Sequence, residues 1–148
     1  VIHELVSVID DIADSDLAEI VDHTTQDEDC ISIQTILTHV VQSGYTYIIE
    51  IRKWLGEDME YMDKITLTSV SDYKIALEEM FAYSERAFSD HPDIRLIEHN
   101  AGEKIKVRWG QRFDVEQLME HAIVHILRHR RQIEKFALIL SKRTKERA

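Results

Sequence analysis

Histidine is the residue through which this sequence could do chemistry. His121, His125 and His129 follow one another at four-residue intervals near the carboxyl end, and His39 stands alone in an apolar-rich stretch with Ile36, Leu37, Val40 and Tyr47. Residues four apart share one face of a helix, so each adjacent pair in the run can reach a common ion. The outer two cannot, because eight residues separate them by roughly 12 Å along the axis while metal–nitrogen bonds are about 2.0–2.1 Å. A single metal would therefore take two adjacent members of the run and need a third ligand from another helix, for which His39 is the candidate. Spacing alone allows His121 with His125, or His125 with His129. A solitary histidine on an apolar face is usually satisfied by hydrogen bonds, and His3, His23, His91 and His99 need no other explanation. Three in register facing a fourth are different, since burying several imidazoles without partners is costly and coordination satisfies them together.

The elements that must position these histidines can be read from periodicity and punctuation. Leu5, Val8, Ile9 and Ile12 recur at helical spacing, and Ser15 with Glu19 opens a further turn carrying Leu17, Ile20 and Val21. Residues 24–29 read as a polar loop. Ser32 is placed to cap a long helix over 33–55, and Gly56 follows where helices commonly stop. Residues 57–70 lack a clean period and read as a connection crossing the bundle. Ser71 is the expected cap of a third helix with Tyr73, Leu77, Met80, Phe81 and Phe88 on its inward stripe, ending before Pro92. Alternation then changes to period two: Ile94 and Leu96, a turn at 100–102, then Ile105, Val107 and Trp109 predict a β-hairpin. Asp114 and Gln117 form a capping-box pattern opening a fourth helix that runs to about Ser141. Its apolar stripe is Leu118, Ala122, Ile126 or His125, Ile133, Phe136 and Leu140.

The expected fold class is thus all-α, a four-helix bundle with a small β-hairpin insert before the last helix, in one domain spanning residues 1–148. One proline and four glycines leave long stretches without a breaker, which favours helix. No apolar run reaches the ~20 residues of a membrane span, and no amino-terminal segment has the pattern of a signal peptide. The single cysteine, Cys30, cannot form an internal disulfide, which fits a cytoplasmic location. A net charge of −10 argues against nucleic acid as a partner. The basic residues crowded from Arg128 to Arg147 read as a solvated helix face and tail. Exposed apolar residues on so small a bundle, and opposite charge at the two ends of the sequence, lead us to expect a homodimer. Tyr45, Tyr47, Trp54 and Trp109 read as core or rim aromatics. No serine or cysteine nucleophile has an adjacent base, and no glycine loop could cradle phosphate.

Two segments carry a resemblance. Thr38-His39-Val40-Val41 with Gly44-Tyr45, and the run from Leu118 through His121, His125 and His129 to Gln132-Ile133, resemble the DinB/YfiT superfamily of metal-binding four-helix bundles. The likeness extends over nearly the whole chain, including Trp109-Gly110-Gln111, and is most specific in the pairing of a second-helix histidine with HxxxHxxQI. It implies a divalent ion, zinc or nickel, held by His39, His125 and His129, with His121 nearby but outside the ligand set. It also implies a bundle whose connections are not all short hairpins. For function it implies a metal-dependent enzyme acting on a small-molecule substrate, a thiol-dependent S-transferase using a low-molecular-weight thiol or a hydrolase. The alternative is a non-catalytic, stress-associated metal-binding protein. An open coordination position facing a cavity would favour the enzyme, and a fourth protein ligand or a sealed site the structural role.

Overall fold

The fold is an all-α four-helix bundle with a short antiparallel hairpin ahead of its last helix, seen in a computed structural model that describes residues 1–147. The helices are α1 (Ile2–Asp10), α2 (Ile33–Trp54), α3 (Val70–Asp90) and α4 (Val115–Arg147), and the hairpin pairs β1 (Ile105–Lys106) with β2 (Arg112–Phe113). Among the described residues no helix is long and apolar enough to cross a membrane.

The run 57–70 sets the topology. It passes back along α2, where Gln42 Nε2 donates to the Met62 carbonyl at 3.1 Å and Gln34 Nε2 to the Leu67 carbonyl at 2.8 Å. Helix α3 consequently starts beside the beginning of α2 and runs parallel to it. At the far ends of the two helices, Arg52 Nη2 meets Asp90 Oδ2 at 3.0 Å. Helix α1 opposes α3, with Lys74 paired to Asp10 and His3 ringed against Phe81. Helix α4 opposes α2, giving an order up, down, down, up with one long crossover.

Tyr73 fastens the crossover. Its fully buried hydroxyl lies 2.7 Å from Thr38 Oγ1, accepts from the Leu67 amide at 3.1 Å and approaches the Gln34 carbonyl at 3.3 Å. Tyr73→Phe should destabilise the bundle by about 1–3 kcal/mol, because it leaves buried partners unsatisfied. Chemical denaturation would check this, and an unchanged midpoint would show that the hydroxyl is not a fastening.

The core has two parts. One is built from α1 and the facing sides of α2, α3 and α4, including Leu5, Ile9, Ile33, Leu37, Leu77, Ile133 and Phe136. The other joins the far half of α2 and the start of α4 to the hairpin, through Ile48, Ile51, Ile105, Val107 and Leu118. Helix α1 is too short to cover both, and the hairpin closes what it leaves. His39 on α2, and His125 and His129 on α4, fall where the two parts meet.

Several local expectations need correction. Ser69 rather than Ser71 caps α3, its Oγ accepting from the Asp72 amide at 3.1 Å. Ser71 already lies inside the helix. Phe81, expected on the inward stripe, is 39% exposed, and Ala87 takes an inward place instead. The hairpin is shifted: Ile94 and Leu96 lie in no strand, the Leu96 carbonyl accepting instead from the Glu116 amide at 3.0 Å, and the turn joins Val107 to Gln111, whose carbonyl accepts from the Val107 amide at 3.1 Å. Gly110 supplies the positive φ of +96° that this turn requires. At 100–102 the Asn100 side chain caps a short 3-10 turn through Gly102 N at 3.0 Å, which satisfies the chain locally and removes the need for a strand partner. The turn expected after Ser15 is a 3-10 turn at Asp14–Asp16 that buries Leu17 but leaves Ile20 exposed. Helix α4 continues past Ser141 to Arg147, since no breaker intervenes and its basic last turn suits the negative helix end.

Candidate metal centre

Both helices that carry the histidines begin with reciprocal caps. Ser32 Oγ accepts from the Thr35 amide at 3.1 Å while Thr35 Oγ1 accepts from the Ser32 amide at 3.1 Å. Gln117 N donates to Asp114 Oδ1 at 2.7 Å, and Asp114 N to Gln117 Oε1 at 3.0 Å. Such boxes fix where each helix starts, and therefore which residues face the partner helix. Helices α2 and α4 run antiparallel, and His39 on α2 comes opposite the turn of α4 that joins His125 to His129.

His39, His125 and His129 meet there. Their Nε2 atoms converge, with His39 2.9 Å from His125 and His125 3.1 Å from His129, and the ligand atoms of all three lie within 4.8 Å of one another. His129 is buried and the other two half-buried. Among the described residues no fourth His, Cys, Asp or Glu joins the group. His121 lies apart from it. Its ring stacks on Trp109 with centroids 6.0 Å apart and stands 5.6 Å from that of Tyr47.

The outer nitrogens decide what the inner ones can do. His129 Nδ1 donates to Gln132 Oε1 at 2.6 Å. His39 Nδ1 faces Asp29 Oδ2 at 3.4 Å and Ser43 Oγ at 3.5 Å. With their protons on Nδ1, both imidazoles present bare Nε2 lone pairs to the centre. His125 could donate from Nε2 to one of them but not to both, and its own Nδ1 is buried without a partner. Hydrogen bonding among the three rings cannot satisfy them all.

Protonation is no remedy. Burial pushes the His125 pKa down to about 3, helped by the neighbouring His129 and His39 charges. Burial also lowers His39 against the pull of Asp29, and His129 against its bond to Gln132. Three neutral imidazoles with convergent lone pairs are a donor set for a divalent cation. The two separations from His125, 2.9 and 3.1 Å, approach the ~3.3 Å edge expected for tetrahedral ligands at zinc–nitrogen bond lengths, and the third pair lies within 4.8 Å, so small ring movements would let the three hold such an ion.

Comparison with family models, with curated proteins and with solved structures gave no match. The chemistry therefore has to be argued from the cluster and its surroundings.

Carboxylate and amide partners on ligating histidines fix ring orientation and tautomer. Here they come from two sides: Gln132 is one turn beyond His129 on α4, and Asp29 precedes α2 and is itself paired with Lys64 from the crossover. Gln132 stood in the motif that carries the resemblance but was not read there as a partner of His129, which its i+3 spacing could have signalled. Asp29 gave no such sign, because an acidic residue in a polar loop carries no periodic signal. A cavity of about 350 Å³ opens on the opposite side, bounded by His39, Ser43, Tyr47, Arg108, Trp109, His121 and His125. Cys30 approaches the site only indirectly, with Sγ 3.9 Å from Gln132 Oε1. Burial and the adjacent Asp27 push its thiol up to about 11, so it is protonated at neutral pH and unsuited to act as nucleophile.

Proposed function

We propose that the chain is a divalent-metal-dependent enzyme of the DinB/YfiT-like type, with His39, His125 and His129 as zinc or nickel ligands and a small-molecule substrate. The observation that carries the reading is the convergence of three neutral imidazoles beside an open cavity. Three protein ligands without a fourth are the pattern of catalytic rather than closed structural sites. That combination supports the enzyme over the non-catalytic, stress-associated alternative.

A bound divalent ion would supply Lewis acidity, lowering the pKa of a thiol or water beside it. The chain's own part is to hold and shield. Gln132 and Asp29 keep the rings of His129 and His39 turned inward. Tyr47, with its ring 5.8 Å from that of His125, forms a low-polarity wall between the cluster and the second core. Its hydroxyl is pushed up to about 12 by burial and stays protonated. The nucleophile we propose is an external low-molecular-weight thiol in an S-transfer, with hydrolysis by water as the other outcome.

The test is a panel of low-molecular-weight thiols against an activated aryl halide, using metal-loaded and chelator-treated protein. Thiol consumption that disappears with chelation and returns with metal supports the transferase. Metal-dependent hydrolysis of activated esters without thiol consumption would select the hydrolase, and no metal-dependent turnover of either kind would contradict the enzyme reading.

The assembly we propose is a homodimer. Ile75 on α3 and Val124 and Leu138 on α4 are each more than half exposed, at 53%, 54% and 58%, and offer apolar side chains to a second copy. Light scattering at micromolar concentration should give twice the 17.4 kDa chain mass. A monomeric mass would contradict it.

A further inference from the structure

The mouth of the cavity beside the histidines is positively charged, although the chain as a whole is acidic. Twenty-eight Asp and Glu outnumber 18 Lys and Arg, yet no carboxylate lines this cavity, and Arg108 does. A second cavity, of about 550 Å³, shares Arg108 and adds Lys53 and Lys106. Its one acid, the buried Glu50, is engaged by the Tyr61 hydroxyl, to which Lys53 Nζ donates at 3.2 Å.

Arg108 is held without being neutralised. Its guanidinium carbon sits 4.0 Å from the centroid of the Tyr61 ring, and Tyr61 is fixed in turn by Glu50. Among the described residues Arg108 forms no ion pair, whereas Arg52, Arg95 and Arg130 each have a carboxylate partner. Stacking on an aromatic face leaves the edge of a guanidinium free for a planar, two-pronged acceptor. Trp109 follows directly, 41% exposed and stacked on His121. The mouth therefore offers a carboxylate-shaped donor beside an aromatic wall, in the cavity that His39 and His125 also line.

We propose that this mouth binds the carboxylate of a small organic acid, with Arg108 as the recognition residue and Trp109 as the wall for the apolar body of the molecule. This names the substrate class of the site, and it rests on the metalloenzyme reading only for what becomes of the acid once bound. The expected loss on removing the guanidinium is about tenfold in affinity, the usual size of one charge-assisted contact at an accessible site.

The experiment titrates benzoate and its neutral isostere benzamide into chelator-treated and zinc-treated protein, following the indole N–H resonance of Trp109, assigned with Trp109→Phe. Benzoate should shift the resonance saturably in the millimolar range, and benzamide about tenfold more weakly. Arg108→Gln should bind benzoate about tenfold more weakly and Arg108→Lys should fall between, while both take up metal as the unaltered protein does. Equal binding of benzoate and benzamide, undiminished benzoate binding by Arg108→Gln, or no benzoate response would overturn the proposal. The two readings fail separately. A protein that takes up no metal yet shows Arg108-dependent preference for benzoate overturns the metalloenzyme alone, and one that takes up metal without that preference overturns the acid site alone.

Discussion

Replacing His125 by alanine is expected to lower divalent-metal affinity by roughly two to three orders of magnitude, while leaving the helical content unchanged. The magnitude follows from dividing the ~10–16 kcal/mol of a four-ligand zinc site by its ligands, about 2.5–4 kcal/mol each. His125 is central because its Nε2 is within 3.1 Å of both other Nε2 atoms. It is also the member common to both pairings that the spacing allows. His39→Ala and His129→Ala should lose metal similarly. His121→Ala should retain it, since its ring is committed to Trp109, Tyr47 and Phe113. Equilibrium dialysis of the four variants against zinc would decide, and full retention by His125→Ala would place any site elsewhere.

The second large effect concerns a residue that touches no ion. Gln132→Ala should weaken metal binding by about 10- to 100-fold, the usual cost of removing the group that orients a ligating histidine. Its Oε1 accepts from His129 Nδ1 at 2.6 Å and thereby directs the lone pair of Nε2 inward. Gln132→Glu supplies another acceptor at the same place and should restore most of the affinity. The pair of variants separates orientation from packing: a purely structural role would weaken both alike, and unchanged affinity in Gln132→Ala would remove the residue from the account.

The parts of this molecule that could be read from sequence are those governed by period and capping. Helix α4 announced itself by Asp114 with Gln117 and by an inward stripe that the structure reproduces at Leu118, Ala122, Ile133, Phe136 and Leu140. Spacing reduced the histidine run to two adjacent pairs. It could not choose between them, because His121 and His129 are displaced from His125 by the same angle in opposite directions. The choice of His129 came from likeness to DinB/YfiT-like bundles, and the geometry groups His129 with His39 and His125. What could not be read depends on tertiary placement. Asp29 reaches His39 only because the loop before α2 folds over its first turns and Lys64 anchors it. Arg108 gains its position from the shifted hairpin and from Tyr61 in the crossover, neither of which has a local pattern. The hairpin register was missed because alternation marks apolar faces but not pairing partners, and the turn was governed by Gly110 rather than by Gly102.

The central claim, that three convergent imidazoles hold one divalent ion, is tested most directly by calorimetric titration of zinc, and separately nickel, into untagged, chelator-treated protein at neutral pH. The account predicts one equivalent of metal per chain, bound at micromolar Kd or tighter and lost in His125→Ala. No binding, or binding of equal strength in that variant, would contradict it.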